Sequence, residues 1–285
     1  MRWQAGRFQV ELITPRVMGI INITPDSFSD GGKGVNTILA LAQCEMFLRD
    51  GAAILDLGAE STRPGALPIS LNEELDRLVP VLRGALTLGC PISVDTNKTE
   101  VMRHVLDMGA DIINDIYALR SPGAVDVVAA HGKCGVCLMH MQGTPTSMQV
   151  LPVYGDVISE VVNFLRDRTA LLFASGVIRD RIVCDPGIGF GKSVEHNIEL
   201  LRRQNELWAI GQPLLIGWSR KSTLGTVTGR TVESREAASI AAALAAVSRG
   251  ASIVRVHDVA STVDALKVWQ AAGLGSEQYF RKYPT

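Results

Sequence analysis

A short apolar run that breaks into polar, turn-forming residues and then into helical spacing recurs eight times along this 285-residue chain. The first instance spans Val17 to Gly32. Val17-Met18-Gly19-Ile20-Ile21 reads as a strand buried on both faces, as in a parallel sheet. It breaks at Asn22 into Thr24-Pro25-Asp26-Ser27 and Asp30-Gly31-Gly32, residues that favour turns. Buried strands that end in a polar group, spill into a loop and are followed by a helix are how a β/α barrel presents chemistry at its C-terminal rim.

The later repeats place strands at 53–57, 92–94, 111–113, 136–139, 181–184, 213–217 and 252–256. Helices are expected at 37–50, 71–86, 99–108, 123–131 and 157–175, from about 194, and at 234–249 and 259–272. No linker interrupts them. The expected fold is therefore α/β: a single (β/α)8 TIM barrel over 17–272, within one domain covering 1–285. Residues 1–16, with Phe8, Val10 and Leu12 in rough alternation, form a short hairpin or extension that plugs the barrel bottom. Single barrels of about 250 residues are common. A chain this long buries roughly 75% of its unfolded surface, so its core needs neither disulfide nor metal.

Charge and cysteine usage exclude several classes. A net charge of -1 gives no field to attract nucleic acid or anionic lipid. No apolar stretch approaches the roughly 18 residues that span a membrane, and no charged start precedes an apolar run as in a secretion signal. Five cysteines without framework spacing fit reduced thiols in a cytoplasmic protein. Cys134-Gly135-Val136-Cys137 has redox spacing but lies in an apolar strand rather than opening a helix, so small core residues are expected there.

The strand ends collect Asn22, Asp56, Asp95, Asn114, Asp185, Lys221, Arg255 and His257. One acidic strand end can be a mere helix cap, but caps have no use for Lys, Arg and His. Asp95, Asn114 and Asp185 offer acceptors and an amide, which suit a heterocycle with an amidine-like edge; a carboxylate can accept two parallel hydrogen bonds from it. Asn22, Arg63, Arg255 and His257 suit an anion: Arg grips phosphate oxygens in pairs, and Asn22 has the neutral oxygen that Mg²⁺ accepts. Asp185–Ser193, DPGIGFGKS, is not a phosphate-binding loop, because that loop needs Gly, four residues, then Gly-Lys-Ser/Thr. Its glycines let backbone approach a flat ring. Ser219-Arg220-Lys221-Ser222 is expected at a helix N-terminus, where free N–H groups favour a carboxylate. Phe28 and Pro64 are large apolar residues in otherwise polar loops, which points to a ligand there.

Taken in order, Val17 to Gly32, Asp56-Leu57-Gly58-Ala59-Glu60-Ser61-Thr62-Arg63-Pro64-Gly65, Ser93-Val94-Asp95-Thr96, Asp185 to Lys192 and Ser219 to Ser222 resemble the dihydropteroate synthase family of folate biosynthesis. The resemblance runs from about Val17 to Val268. It implies a transferase that condenses (7,8-dihydropterin-6-yl)methyl diphosphate with 4-aminobenzoate, a homodimer, and a target of sulfonamides. It assigns Asp95, Asn114, Asp185 and Lys221 to the pterin ring, with Met139, Phe190, Gly217 and Arg255 around its faces. Asn22, Arg63, Arg255 and His257 would hold the diphosphate, with Mg²⁺ near Asn22. Phe28, Thr62, Pro64, Lys221 and Ser222 would form the 4-aminobenzoate slot, and Asp95, Asp185, Lys221, Arg255 and His257 the catalytic set. Ala59 stands where the family usually has Gly, and Trp218 at a variable position, which bears on loop mobility and pocket shape. Among alternatives, a pterin-dependent methyltransferase barrel could share the Asp95–Asn114–Asp185 pocket without needing the diphosphate group. A non-catalytic pterin-binding paralogue would lose loop residues such as Arg63, and an aldolase would use Lys221 as a Schiff-base nucleophile.

Overall fold

A two-stranded antiparallel hairpin, β1 (Arg2–Ala5) and β2 (Phe8–Glu11), opens the chain. The computed structural model describes residues 1–24, 33–61, 67–143 and 152–273. After the hairpin come eight parallel strands: β3 (Arg16–Asn22), β4 (Ile54–Gly58), β5 (Ile92–Asp95), β6 (Ile112–Asp115), β7 (Gly135–Met139), β8 (Ile182–Asp185), β9 (Leu214–Ile216) and β10 (Ala251–Val256). Each pairs with the next and β10 returns to β3, closing a barrel. The expected (β/α)8 architecture is what forms.

Register fixes where the chemistry sits. Asn22 lies opposite Gly58, Gly58 opposite Asp95, Asp95 opposite Asn114, and Met139 opposite Asp185. The polar groups that break each apolar run therefore reach one rim together.

The other end of the barrel is closed by the hairpin. Trp3, Ala5, Val10 and Leu12 pack on the inward residues Met18, Ile54, Ile112, Cys137, Val183, Leu215 and Ile253. Trp3 is fully buried and donates its indole N–H to Arg181 O at 3.0 Å, so the ring's polar edge is satisfied while its body fills the barrel floor. The hairpin turn needs Gly6, whose φ is +58°; an added Cβ would lie 2.4 Å from Asp111 Oδ1. That carboxylate is taken by Arg7, through the backbone N–H and guanidinium at 3.0 Å.

The strands' outward side chains meet an outer ring: α1 (Lys33–Arg49), α2 (Leu71–Ala85), α3 (Thr99–Met108), α4 (Ala124–Ala130), α5 (Val157–Ala174), α6 (Val194–Arg202), α7 (Ser222–Thr228), α8 (Glu236–Val247) and α9 (Val259–Ala271). Leu55, Leu57, Val94, Ile113 and Leu138 pack there against Leu78, Leu82, Val101, Val105, Val161 and Leu165. Caps set several helix starts: Ser70 accepts from Glu73 N, Asp156 from Ser159 N, and Ser193 and His196 form a reciprocal box. The 179–181, 204–210 and 232–234 stretches form 3₁₀ turns that were not expected, the first taking in Arg181 at the expected start of a strand. The helix start expected at Ser219 to Ser222 belongs to a short, separate α7, which precedes α8. Strand β9 also ends at Ile216, leaving Gly217 just beyond it.

All five cysteines are buried and free. Burial pushes the Cys134 thiol up to about 12 and Cys137 higher than its ordinary value, so the CxxC pair is core rather than redox machinery. Among the described residues no helix is long and apolar enough to cross a membrane.

Candidate active site

Parallel pairing brings side chains from distant parts of the chain into one buried network. Arg255, near the end of β10, donates Nε–H to Asp56 Oδ2 at 2.6 Å and Nη2–H to Asp95 Oδ2 at 2.8 Å. Asn114 donates its amide to the same Asp56 oxygen at 3.0 Å. Asp56 is fully buried, and its Oδ1 has no hydrogen-bond partner among the described residues. The sequence put Asp56 at the rim without a role. Its role is structural to the site: it orients both Arg255 and Asn114.

Two carboxylates on one guanidinium compete for charge. Burial pushes the Asp95 carboxyl up to about 7; Arg255 opposes the shift and Asp56 reinforces it. Burial works against the Arg255 charge, but Asp56 and Asp95 outweigh it and hold the guanidinium protonated. Asp185, at the end of β8, is raised by burial, against the Gly187 N–H and the cations Lys221, Arg255 and Lys192. Its Oδ1 accepts from Gly187 N at 2.7 Å. That turn requires glycine, with φ at +71° and an added Cβ only 1.9 Å from His140 O.

An apolar wall stands beside these acids. Met139 and Met141 on the β7 side and Ile116 after β6 form a buried cluster against Tyr117 and Phe190. Lys221, half-buried, lies with Nζ 4.1 Å from the Phe190 ring centroid, a cation–π contact. Burial lowers the Lys221 amine to about 8, with Asp185 pulling the other way. A Cβ on Gly217 would meet no described atom within 4 Å, so the rim is open at that point. Carboxylate edges beside an apolar wall suit a flat, hydrogen-bonding heterocycle.

The loop carrying Asp185 and Phe190 is pinned from inside by Lys192, which is 2% exposed. Its ammonium donates to Gly187 O and Phe190 O, both at 3.0 Å, and lies 3.0 Å from His140 Nδ1. Burial and Lys192 together lower His140 to about 2, leaving a neutral ring that accepts at Nδ1. Lys192 is thus held by groups of the protein itself, in keeping with the rejected phosphate-loop reading.

His257, just past β10, is placed by Ser219. The His257 backbone N–H donates to Ser219 Oγ at 3.1 Å, and that hydroxyl lies 2.9 Å from His257 Nδ1. With one lone pair taken by the backbone N–H, the Ser219 hydroxyl is free to give its own proton to Nδ1, an arrangement that favours the tautomer with the ring N–H on Nε2. Burial, then Arg220 and Arg255, lower His257 to about 3, so it offers one neutral donor. Ser219 and Lys192 lie within the sequence motifs, but the histidines they meet, His257 and His140, are 38 and 52 residues away, too far for spacing to reveal.

Arg220 adopts φ +59°, the left-handed region that side chains other than glycine's rarely enter. It is held there by its N–H to Ser239 Oγ at 3.0 Å, its guanidinium on Asp258 at 2.5 Å, and Arg235 on its carbonyl at 3.1 Å. Such outliers gather at functional sites; this one turns the chain so that Lys221 caps α7 and Ser222, exposed, begins it. Asn22 ends β3, half-buried. Phe28, Thr62, Arg63 and Pro64 lie outside the described residues. Ala59 is buried without positive φ, and Trp218 is a core residue, 2% exposed.

The family described as "Pterin binding enzyme" matches residues 18–257. Dihydropteroate synthase of Neisseria meningitidis serogroup C is 53% identical over 276 residues, covering 95% of this chain and 98% of that one. Among solved structures, Xanthomonas albilineans dihydropteroate synthase with 4-aminobenzoic acid superposes with a TM-score of 0.90 at 47% identity, over 95% of this chain and 98% of that one. Burkholderia cenocepacia dihydropteroate synthase complexed with 7,8-dihydropteroate gives 0.87 at 47%, over 95% and 96%. Fold, rim and sequence agree: the chain belongs to the dihydropteroate synthase family of pterin binding enzymes.

Proposed function

We propose that this rim joins (7,8-dihydropterin-6-yl)methyl diphosphate to 4-aminobenzoate, giving 7,8-dihydropteroate and diphosphate. The observation that carries the reading is the buried set of Asp56, Asp95, Asn114 and Arg255 beside the wall of Met139 and Phe190. A pterin presents adjacent donors on one edge and two flat faces. Asp95, Asn114 and Asp185 take the edge. Met139, Phe190 and Gly217 flank the faces, with Lys221 and Arg255 alongside.

The reaction breaks the bond from the pterin methylene carbon to the diphosphate oxygen, and the leaving oxygen takes the electron pair. Positive charge left on the methylene spreads into the ring, where Asp95 and Asp185 stabilise it. Arg255, the Nε2–H of His257, and Arg63 meet the charge that grows on the diphosphate. The aryl amine, neutral at pH 7, attacks the methylene, forms the C–N bond and releases one proton to solvent or diphosphate. No strong base is needed, which fits a His257 too acidic to serve as one. Orientation supplies much of the remainder. Ser222 at the start of α7 is assigned to the aryl carboxylate, with Lys221, Phe28, Thr62 and Pro64 completing the slot.

Among the described residues no three His, Cys, Asp or Glu side chains gather as metal ligands. Asn22, at the end of β3, would hold Mg²⁺ through its neutral oxygen, with water and substrate oxygens completing the shell as is common for this ion. Mg²⁺ bound there adds positive charge to the diphosphate oxygens. A homodimer is supported by α8, which turns Ala242, Ala243 and Ala246 to the barrel and leaves Ala237 and Ala241 exposed, as are Val227 and Val232 in the preceding segment. A reducing, cytoplasmic setting suits five free buried thiols.

Diphosphate release tests the reaction. It should require both 4-aminobenzoate and the pterin diphosphate, need Mg²⁺, and be blocked by a sulfonamide in competition with 4-aminobenzoate. Release at the same rate without 4-aminobenzoate would refute the reading.

A further inference from the structure

Asn197 opens α6 beside the capping residues Ser193 and His196, where a polar residue is ordinarily wet. Here it is 1% exposed. Its Oδ1 accepts the Gly189 N–H at 2.8 Å, and its Nδ2 donates to Ser193 O at 2.8 Å and Thr223 Oγ1 at 3.0 Å. The amide cannot be turned over: Oδ1 would then face a carbonyl and Nδ2 an N–H. A buried amide is costly unless satisfied; this one has both of its donors and its oxygen engaged.

What those bonds join is informative. Gly189 belongs to the loop between Asp185 and Phe190. Thr223 is the second residue of α7, next to Lys221 and Ser222. Helix α6 starts on a reciprocal cap and gives the amide a fixed base. One side chain therefore spans the loop assigned to the pterin and the helix assigned to the aryl acid. The contact it sets is the 4.1 Å approach of Lys221 Nζ to the Phe190 ring.

We infer that Asn197 is a positioning residue that fixes the pterin loop against the aryl-acid helix, so that methylene and amine meet in line. The inference rests on the site assignment proposed above. Because a misplacement of about 1 Å can cost roughly 100-fold in rate, its signature is a loss of kcat with little loss of either ligand alone.

The test compares Asn197→Ala, Thr223→Val and the double variant in kcat, in calorimetric binding of the pterin diphosphate and in Tm. Thr223→Val removes the bond from the far side at nearly constant volume, and Tm reads the cost of the amide N–H it leaves unpaired. Asn197→Ala should lower kcat about 10–100-fold and Thr223→Val about 5-fold, with pterin binding changed less than about 3-fold. The double variant should be no worse than Asn197→Ala, since Asn197→Ala already removes the bond that Thr223→Val breaks. A merely structural role would lower Tm and leave kcat per folded site intact. Thr223→Val within about 2-fold of the parent, or additive losses in the double variant, overturns the inference. Asp185→Asn run in parallel separates the two readings. If it keeps full turnover, the pterin assignment has failed; if it loses turnover while both α6–α7 variants keep theirs, only the role of Asn197 has failed.

Discussion

Asp56→Asn perturbs the site at its most buried charge. The side chain keeps its shape, so its oxygen can still accept from Arg255 Nε and Asn114 Nδ2, now 2.6 and 3.0 Å away. The new NH₂ falls where Oδ1 has no partner among the described residues. Weakening a charge-assisted bond to a neutral one costs about 1–2 kcal/mol, and relief of carboxylate repulsion offsets part of that. Two carboxylates on one guanidinium sit roughly 5 Å apart, which at an effective dielectric of about 20 is about 3 kcal/mol of repulsion, or about two pKa units before Arg255 screens it. Asp95, now pushed up to about 7 by burial with Asp56 adding to it, should fall by about one unit in the variant. Ring recognition needs the ionised carboxylate, so kcat/KM for the pterin should decline as pH drops below 7 in the parent and about one unit lower in Asp56→Asn. Stability follows with its own sign. Between the ordinary 3.8 and about 7 the folded protein holds a proton on Asp95 that the unfolded chain has released, so this group's contribution is lost as pH rises through that window. A pH–rate profile and pH-dependent melts read both effects. An acid limb that stays put or moves upward would refute the reasoning.

Three further outcomes are expected. Lys192→Met strips donors from Gly187 O, Phe190 O and His140; it should cost about 2–4 kcal/mol in denaturant unfolding and weaken the pterin more than 4-aminobenzoate, whereas unchanged stability would contradict the strut. Arg255→Ala and His257→Ala should each weaken calorimetric binding of inorganic diphosphate with Mg²⁺ present, and equal affinity in both variants would remove them from the anion site. Trp3→Ala should cost about 3–5 kcal/mol while turnover per folded molecule stays the same, because the barrel floor it fills is remote from the rim.

The fold was legible because strands of a parallel barrel, buried on both faces, read as continuous apolar runs, and each run broke at a polar residue. That break located Asn22, Asp95, Asn114 and Asp185 as strand ends on one rim. A helix start at Ser219 to Ser222 was legible, but the left-handed turn that delivers it was not, since Arg220 adopts a conformation its residue type gives no hint of. Asp56 could be placed but not understood, because its partner Arg255 lies 199 residues away. Lys192 and Asn197 were hidden for a related reason: Lys and Asn are ordinarily solvated, and only the folded chain shows the carbonyls and the hydroxyl that hold them inside.

The central claim is that the pterin ring sits on Asp95, Asn114 and Asp185. Calorimetric titration of a 7,8-dihydropterin into the parent and into Asp185→Asn tests it most directly, with circular dichroism establishing that the variant is folded. Loss of the charge-assisted bond should weaken binding by at least about tenfold, or about 1.4 kcal/mol. Undiminished affinity in folded Asp185→Asn would place the ring elsewhere.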